Sequence, residues 1–155
     1  MDTQSPSLQA AVVTPADGSP LMAFGLEMRV LLTTESTGGA TSVLMAWHQP
    51  GEGPPDHVHF SQEEIFFIVE GTYEVIVDGM RVVAGPGSIV FVPRKTMHRF
   101  KNIGTAKACM LDWTLPGGHD HYFKAISELT GNRGFLGEQI LEISRKYDIH
   151  FPADN

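Results

Sequence analysis

Three histidines and one glutamate in the middle of the chain are residue types that bind a divalent metal ion. His57 and His59 are separated by one residue. Because side chains repeat every second position along an extended strand, both imidazoles should face the same side. Glu64 follows and begins an apolar run, residues 64–69, that predicts a buried strand. Two neutral imidazoles and a carboxylate form half of a ligand set for a transition metal.

A second segment supplies the missing nitrogen. A glycine turn leads into a short strand at residues 88–92, Pro93 ends that strand, and His98 lies on the next alternating segment. The alternative is that the three histidines are hydrogen-bonded interior residues. Their joint placement with Glu64 favours a metal site, since an ionised Glu64 buried without a cation would be costly.

The two segments resemble the two motifs of the cupin superfamily. The first motif is a glycine, His-x-His, a glutamate and a second glycine at fixed spacing, and it is matched by Gly51, His57, His59, Glu64 and Gly71. The second motif is matched by Gly87, Pro93, His98 and Asn102. Lys95 departs from the pattern, because the family has glycine there, and this departure puts the turn geometry before His98 in question.

The family pattern also decides between two neighbouring carboxylates. It allows three or four residues between the second histidine and the glutamate, so Glu63 is a rival ligand. Six residues separate Glu64 from Gly71, as in the family, and Glu64 shares a strand face with Phe66. Glu63 should then face solvent or a surface between subunits.

The resemblance implies an all-β fold, the cupin double-stranded β-helix or jelly-roll barrel, with two short C-terminal helices. It implies one divalent transition metal, which could be Fe, Mn, Ni, Co, Cu or Zn, held by His57, His59, Glu64 and His98. It also implies a small-molecule substrate and a homodimer. Three imidazoles and one carboxylate leave coordination positions open, as a catalytic metal requires.

The leading functional hypothesis is a small-molecule dioxygenase, an oxidoreductase of the quercetin dioxygenase-like type, with Glu64 as a catalytic residue that exchanges a proton with the substrate. A zinc-dependent cyclase or isomerase, as in small cupins of polyketide pathways, needs the same residues. A noncatalytic metabolite-binding cupin is the third hypothesis.

The rest of the chain predicts the elements that carry these residues. Residues 1–20 are rich in Ser, Thr, Pro and Ala and predict a flexible arm. Short strands at even spacing place the β-barrel at residues 21–117, and Asp78-Gly79 predicts a two-residue hairpin turn. Helically spaced apolar residues at 122–129 and 136–147 predict two helices in a tail, residues 118–155, packed on the barrel.

Composition limits the partners. The chain of 155 residues fits one domain, with 42% hydrophobic and 19% charged residues. Its 18 acidic and 11 basic residues give a net charge of -7, which opposes nonspecific binding to nucleic acid or an anionic membrane. A single cysteine and the absence of a long apolar run predict a cytoplasmic protein without a membrane segment.

The remaining residues of interest have less specific roles. We expect His48 to be a surface residue, His119 and His121 to cap the first helix or face solvent, His150 to be unpaired, and Cys109 to be a buried thiol. Candidates to line an apolar pocket are Met45, Trp47, Phe66, Tyr73, Phe91 and Phe100.

Overall fold

Nine strands, two α-helices and one short 3₁₀ helix (Glu35–Thr37) make up the computed structural model, which describes residues 7–130 and 137–152. In chain order the strands are β1 (Ser19–Ala23), β2 (Leu26–Leu32), β3 (Ser42–His48), β4 (Glu63–Glu70), β5 (Tyr73–Val77), β6 (Met80–Ala84), β7 (Ile89–Val92), β8 (His98–Asn102) and β9 (Ala108–Leu115). The helices are α1 (His119–Thr130) and α2 (Gly137–Lys146). The ends of the predicted arm and tail, residues 1–6 and 153–155, and the interhelical residues 131–136 lie outside this description.

The strands form two antiparallel sheets. The larger sheet has the order β1-β2-β3-β9-β4-β7, and the smaller one has the order β6-β5-β8. Side chains from both sheets, including Phe66 of β4, Val75 of β5 and Met110 of β9, form one buried cluster between them. The predicted all-β jelly-roll architecture with two C-terminal helices is confirmed.

Alternation along the strands decides which residues reach the interior. On β3 the buried positions are Ser42, Leu44, Ala46 and His48, and the residues between them are only half-buried. Period-two burial of this kind places one face of a strand against the core. A second buried cluster joins this face to the tail, because Leu44 and Ala46 pack with residues of α1 and α2 and with Ile149.

Local turn chemistry explains most of the strand boundaries. β5 and β6 flank the predicted hairpin turn, which places both Asp78 and Gly79 at positive φ, 51° and 76°. That is the conformation of a type I′ hairpin turn. The arm was expected to be able to pair at a sheet edge, and its last residues, Ser19 and Pro20, begin β1 at the edge of the larger sheet. Pro20 is tolerated there because β1 pairs with β2 alone, at the edge of the sheet.

The two helices have 12 and 10 residues, and neither is long and apolar enough to cross a membrane.

Candidate metal centre

The four predicted ligands converge inside the barrel. One donor atom from each of His57, His59, Glu64 and His98 lies within 4.8 Å of the others, and all four side chains are buried. Glu64 is on β4, where it pairs with Val92 of β7 and lies opposite Thr114 of β9. His98 begins β8. The segment before β4 is held in place by two backbone hydrogen bonds between His57 and His98, of 3.1 and 3.0 Å.

Backbone carbonyls fix the orientation of all three imidazole rings. The Nδ1 atom of His57 lies 2.9 Å from the carbonyl oxygen of Pro55, that of His59 lies 2.8 Å from Asp148, and that of His98 lies 2.9 Å from Thr96. A carbonyl oxygen only accepts, so each Nδ1–H must donate. Each Nε2 atom is therefore left with its lone pair in the neutral ring, as in metal-bound histidines.

When the rings are neutral, the Nε2 atoms and the carboxylate are all acceptors, and the hydrogen bond between Nε2 of His98 and Oε2 of Glu64 then needs a proton on that nitrogen. Glu64 Oε2 lies 2.6 Å from Nε2 of His59 and 3.3 Å from Nε2 of His98. The contact with His59 lacks hydrogen-bond geometry, and its Nε2 is a buried nitrogen without a hydrogen-bond partner in the part of the chain that the structure describes. Converging lone pairs of this kind are repulsive unless a proton or a cation lies among them. The donor set of three imidazoles and one carboxylate fits a divalent transition metal.

Burial and the charges of neighbouring groups shift the pKa values of these four side chains. Burial, together with the neighbouring His98, lowers the pKa of His57 to about 3, which keeps this ring neutral. Burial alone would raise the pKa of Glu64, but protons on the imidazoles of His59 and His98 hold it well below its usual range, and Glu64 in turn raises the pKa of His98 against the effect of burial. The centre thus presents an anionic carboxylate to a cation at neutral pH.

The rival carboxylate takes no part in this cluster. Glu63 lies on the opposite face of β4, half-buried, with Oε1 3.4 Å from Nε of Arg94. The expectation that Glu63 would face away from the interior is correct.

The turn before His98 keeps its geometry despite the lysine. Lys95 has a φ of 64°, in the left-handed region where a glycine is unstrained, and its N–H donates to the carbonyl oxygen of His59 at 2.7 Å. The turn therefore connects two of the candidate ligand segments. The departure from the family pattern is accommodated as backbone strain rather than as a change of turn.

Replacing Lys95 with glycine should stabilise the protein by about 0.5–1 kcal/mol, because the relief of left-handed strain exceeds the entropy that glycine adds to the unfolded chain. Urea unfolding followed by circular dichroism would measure the difference. Lys95→Ala is the matched control and should give no gain, since alanine meets the same strain. An equal gain in both variants would show that the lysine side chain, rather than the backbone, is unfavourable.

A cavity of about 230 Å³ adjoins the cluster. Its wall is mainly apolar and includes Met28, Leu44, Phe100, Met110, Phe123 and Phe151. Its polar residues include His57 and Glu64, so one part of the cavity ends at the candidate metal centre. A concave apolar site with a few polar groups is typical of small-molecule binding.

The aromatic residues chosen from the sequence mostly lie elsewhere. Of the six candidates only Phe100 lines this cavity. Phe66 and Tyr73 belong to the barrel core, and Phe91 is 58% exposed on β7. Met45 and Trp47 lie on the opposite, half-buried face of β3. The error has one cause, because the cavity is walled mainly by β2, β3, β9, the loop before His57 and the tail, a combination that only the tertiary fold reveals.

Two polar residues that sequence reasoning missed also line the cavity. Asp112 is 7% exposed and His119 is 4% exposed. Their side chains pair, with Nε2 of His119 3.4 Å from Oδ2 of Asp112, and the same nitrogen is 3.9 Å from Oε1 of Glu64. His119 was expected to cap a helix or face solvent, and that expectation is wrong. The available signal was the charge at Asp112, in phase with the buried Met110 on β9.

The paired groups shift each other's pKa. Burial and the negative charge of Glu64 raise the pKa of Asp112 to about 7. Burial alone would lower the pKa of His119, but the charge of Asp112 raises it to about 9. At neutral pH the proton is therefore held more firmly by His119 than by Asp112, and the cationic ring faces the carboxylates of Asp112 and Glu64.

Three other sequence expectations can be compared with the structure. His48 was expected at the surface, but it is 2% exposed and its Nδ1 lies 2.8 Å from the hydroxyl of Tyr73. His150 was expected to be unpaired, yet its Nε2 lies 3.2 Å from Oδ1 of Asp148. Cys109 is buried, as predicted.

The segment after α2 positions one candidate ligand. Besides accepting from His59 through its carbonyl, Asp148 accepts through its carboxylate from the N–H groups of Phe60 and Ser61, at 2.9 and 2.7 Å. Two backbone hydrogen bonds between Val58 and His150, of 2.9 and 3.0 Å, add to this attachment. The orientation of the His59 ring thus depends on a residue far away in sequence.

Replacing Asp148 with alanine should weaken metal binding by about 10-fold, the size of effect seen when an outer partner of a ligand is lost. The variant loses both carboxylate contacts and places alanine at a φ of 63°. Competition with a chromogenic chelator would measure the affinity. Asp148→Asn keeps one acceptor oxygen and tolerates the left-handed backbone, so its loss should be smaller. Wild-type affinity in the alanine variant would contradict this role.

Comparison with known proteins places the chain among proteins of known fold. The family model described as the cupin domain matches residues 48–114. SchB of Streptomyces halstedii is 35% identical over 102 residues, which cover 64% of this chain and 73% of SchB. Polyketide synthase CurC of Streptomyces cyaneus is 30% identical over 105 residues, which cover 67% of this chain and 68% of CurC. Quercetin 2,3-dioxygenase of Bacillus subtilis is 23% identical over 117 residues, covering 76% of this chain and 34% of that protein.

Solved structures share the architecture. KdgF from Halomonas sp. superposes with a TM-score of 0.64 at 18% identity, covering 73% of this chain and 99% of KdgF. The polyketide cyclase RemF from Streptomyces resistomycificus superposes with a TM-score of 0.58 at 20% identity, covering 69% of this chain and 80% of RemF. Sequence family, relatives and fold agree, and the chain belongs to the cupin superfamily.

Proposed function

We propose that this protein is a metal-dependent enzyme that binds an oxygen-bearing aromatic or polyketide-like small molecule and acts on it as a cyclase. The observation that carries the proposal is the convergence of His57, His59, Glu64 and His98, with every Nδ1 already donating to a backbone carbonyl, beside an apolar cavity. An open metal with this ligand set binds oxygen groups of a substrate, and the apolar wall accommodates its carbon skeleton.

Each part of the site has a role in such a reaction. When bound, the divalent metal supplies Lewis-acid polarisation of a carbonyl oxygen. Glu64 has one oxygen, Oε2, beside His59 and His98, while Oε1 faces His119. Oε1 can accept a proton from the carbon next to the polarised carbonyl. The cavity wall holds the substrate folded on itself and excludes water, so the deprotonated carbon can form a C–C bond to the carbon of a second carbonyl. The oxygen of that second carbonyl takes the proton back from Glu64 and becomes a hydroxyl.

The comparisons support this choice over the dioxygenase hypothesis. CurC, a polyketide synthase protein by name, is 30% identical and matched over 68% of its length. Quercetin 2,3-dioxygenase is 23% identical and matched over 34% of its length. The dioxygenase remains the second candidate, favoured by that relationship, because the same four side chains could hold a redox metal that activates dioxygen.

Oxygen consumption separates the two candidates. Protein reconstituted separately with Fe, Mn, Ni, Co, Cu and Zn would be mixed with quercetin or catechol in an oxygen electrode. We expect tight binding of these chelating probes to the zinc protein and no oxygen uptake above the metal-free control with any metal. Uptake that disappears in His98→Ala would overturn the cyclase and establish the dioxygenase. If the purified protein binds no divalent ion, both the cyclase and the dioxygenase hypotheses are wrong.

A further inference from the structure

The polar corner of the cavity extends beyond the four candidate ligands. Asp112 and His119 both line the cavity and are more than nine-tenths buried. Asp112 reaches this corner because β9 pairs with β4, where Phe66 lies opposite Asp112 and Glu64 lies opposite Thr114. Its side chain therefore lies on the same face of the sheet as Glu64, one alternate position along.

The two side chains only partly satisfy each other. Their mutual contact of 3.4 Å is long for a charge-assisted hydrogen bond. In addition, Oδ1 of Asp112 and Nδ1 of His119 are buried and have no hydrogen-bond partner among the described residues. A buried polar atom without a partner costs about 1–3 kcal/mol, so native structures usually provide one. A molecule bound in the cavity can supply that partner.

The chemistry of the two atoms defines the partner. A carboxylate oxygen only accepts, whereas an imidazole nitrogen accepts when unprotonated and donates when protonated. A hydroxyl group can donate to Asp112 and can either donate to or accept from His119. An anionic group such as phosphate is disfavoured, because Asp112 and Glu64 both contribute negative charge to this corner.

Resting on the proposed function, we propose that Asp112 and His119 form a subsite that binds a hydroxyl group of the substrate while other oxygens of the same molecule bind the metal. The class of substrate is then narrower than the class of all molecules that chelate a metal. It is an apolar ring system with at least three oxygen substituents, two for the metal and a neighbouring hydroxyl for this pair. The distance of 3.9 Å between His119 Nε2 and Glu64 Oε1 places the subsite directly beside the metal ligands.

A matched pair of probes tests the subsite. Catechol offers two adjacent hydroxyls, and pyrogallol adds a third that can lie on either side, since the molecule is symmetric. Calorimetric titration of the Co²⁺-loaded protein under argon should show pyrogallol binding about 10-fold more tightly than catechol, the effect of one buried hydrogen bond. In His119→Phe the ratio of the two affinities should fall to about 1. The ratio is the readout, because His119 lies beside Glu64 and its loss acts on both probes alike.

Three controls make the result specific. The visible spectrum of cobalt reports whether the metal ligands are intact in each variant. Asp112→Asn keeps the shape of the side chain and should lower the ratio in the same direction, which protects the test if His119→Phe does not fold. His121→Phe changes the next but one residue of α1, which contacts Glu35 instead of the cavity, and should keep the wild-type ratio.

The outcomes separate the subsite from the proposed function. If both probes bind but pyrogallol has no advantage, or keeps it in His119→Phe, the subsite is wrong and the metal-dependent function stands. If neither probe alters the cobalt spectrum of the wild type, the proposed function fails first. Glu64, Asp112 and His119 also lie within 4.8 Å of one another. Binding of a second cobalt equivalent that disappears in His119→Phe would make this corner a cation site and overturn the hydroxyl subsite.

Discussion

Replacing His59 with alanine is expected to lower the affinity of the protein for Zn²⁺ or Co²⁺ by about 100-fold or more. The change removes one of four candidate donors, and loss of even an outer partner of a ligand costs about 10–100-fold. Nε2 of His59 is buried and its ring is already held by the carbonyl of Asp148. Chelator competition at pH 7.5 measures the affinity.

His121→Ala serves as the matched control for this experiment. His121 is 40% exposed in its side chain and lies beside Glu35 and Asp120, a surface group that could also bind a cation. Affinity should remain within about 2-fold of wild type in this variant, because exposed groups of this kind bind metals weakly. If His121→Ala loses the metal while His59→Ala retains it, the ion binds at the surface and the interior cluster has another purpose.

Titration of His48 should lower the stability of the protein by about 3 kcal/mol as the pH falls from 6.5 to 4. Burial lowers the pKa of His48 from 6.5 to about 4 in the folded protein. Below pH 6.5 the unfolded chain therefore takes up a proton that the folded chain refuses, and each pKa unit corresponds to about 1.4 kcal/mol. His48 therefore favours the folded state at high pH, and its contribution to the free energy of unfolding is lost as the pH falls.

Urea unfolding of wild type and His48→Gln at several pH values between 7 and 4 measures this effect. Glutamine can still contact the hydroxyl of Tyr73 but does not titrate in this range. The stability difference between the two proteins should shift by about 3 kcal/mol in favour of the variant as the pH falls. Parallel curves would show that His48 titrates normally, and that its burial in the structure is not maintained in solution.

The strands and the four converging side chains were predictable because they rest on local rules. The Asp78-Gly79 turn and period-two alternation fix the strands that follow, and His57 and Glu64 occur at family spacing. The choice of Glu64 over Glu63 rested on the six residues between Glu64 and Gly71 and on the strand face that Glu64 shares with Phe66. These signals lie within a few residues of the feature that they predict.

The remaining features depend on contacts between distant parts of the chain. His119 opens α1, and nothing near it in sequence shows that the helix begins against β9 beside Asp112. His48 likewise looked like a loop residue, because only the pairing of the sheets brings Tyr73 beside it. A buried histidine and a surface histidine have the same local sequence signature when the burying element comes from elsewhere.

The attachment of residues 148–150 to the loop that carries His59 links two equilibria. Occupation of the centre by an ion and docking of this segment must favour each other to the same extent, because linkage between two events is reciprocal. Docking of residues 148–150 then responds to ion binding and also strengthens it. Amide hydrogens in this stretch, such as the His150 N–H that donates to Val58, would exchange more slowly in the loaded protein.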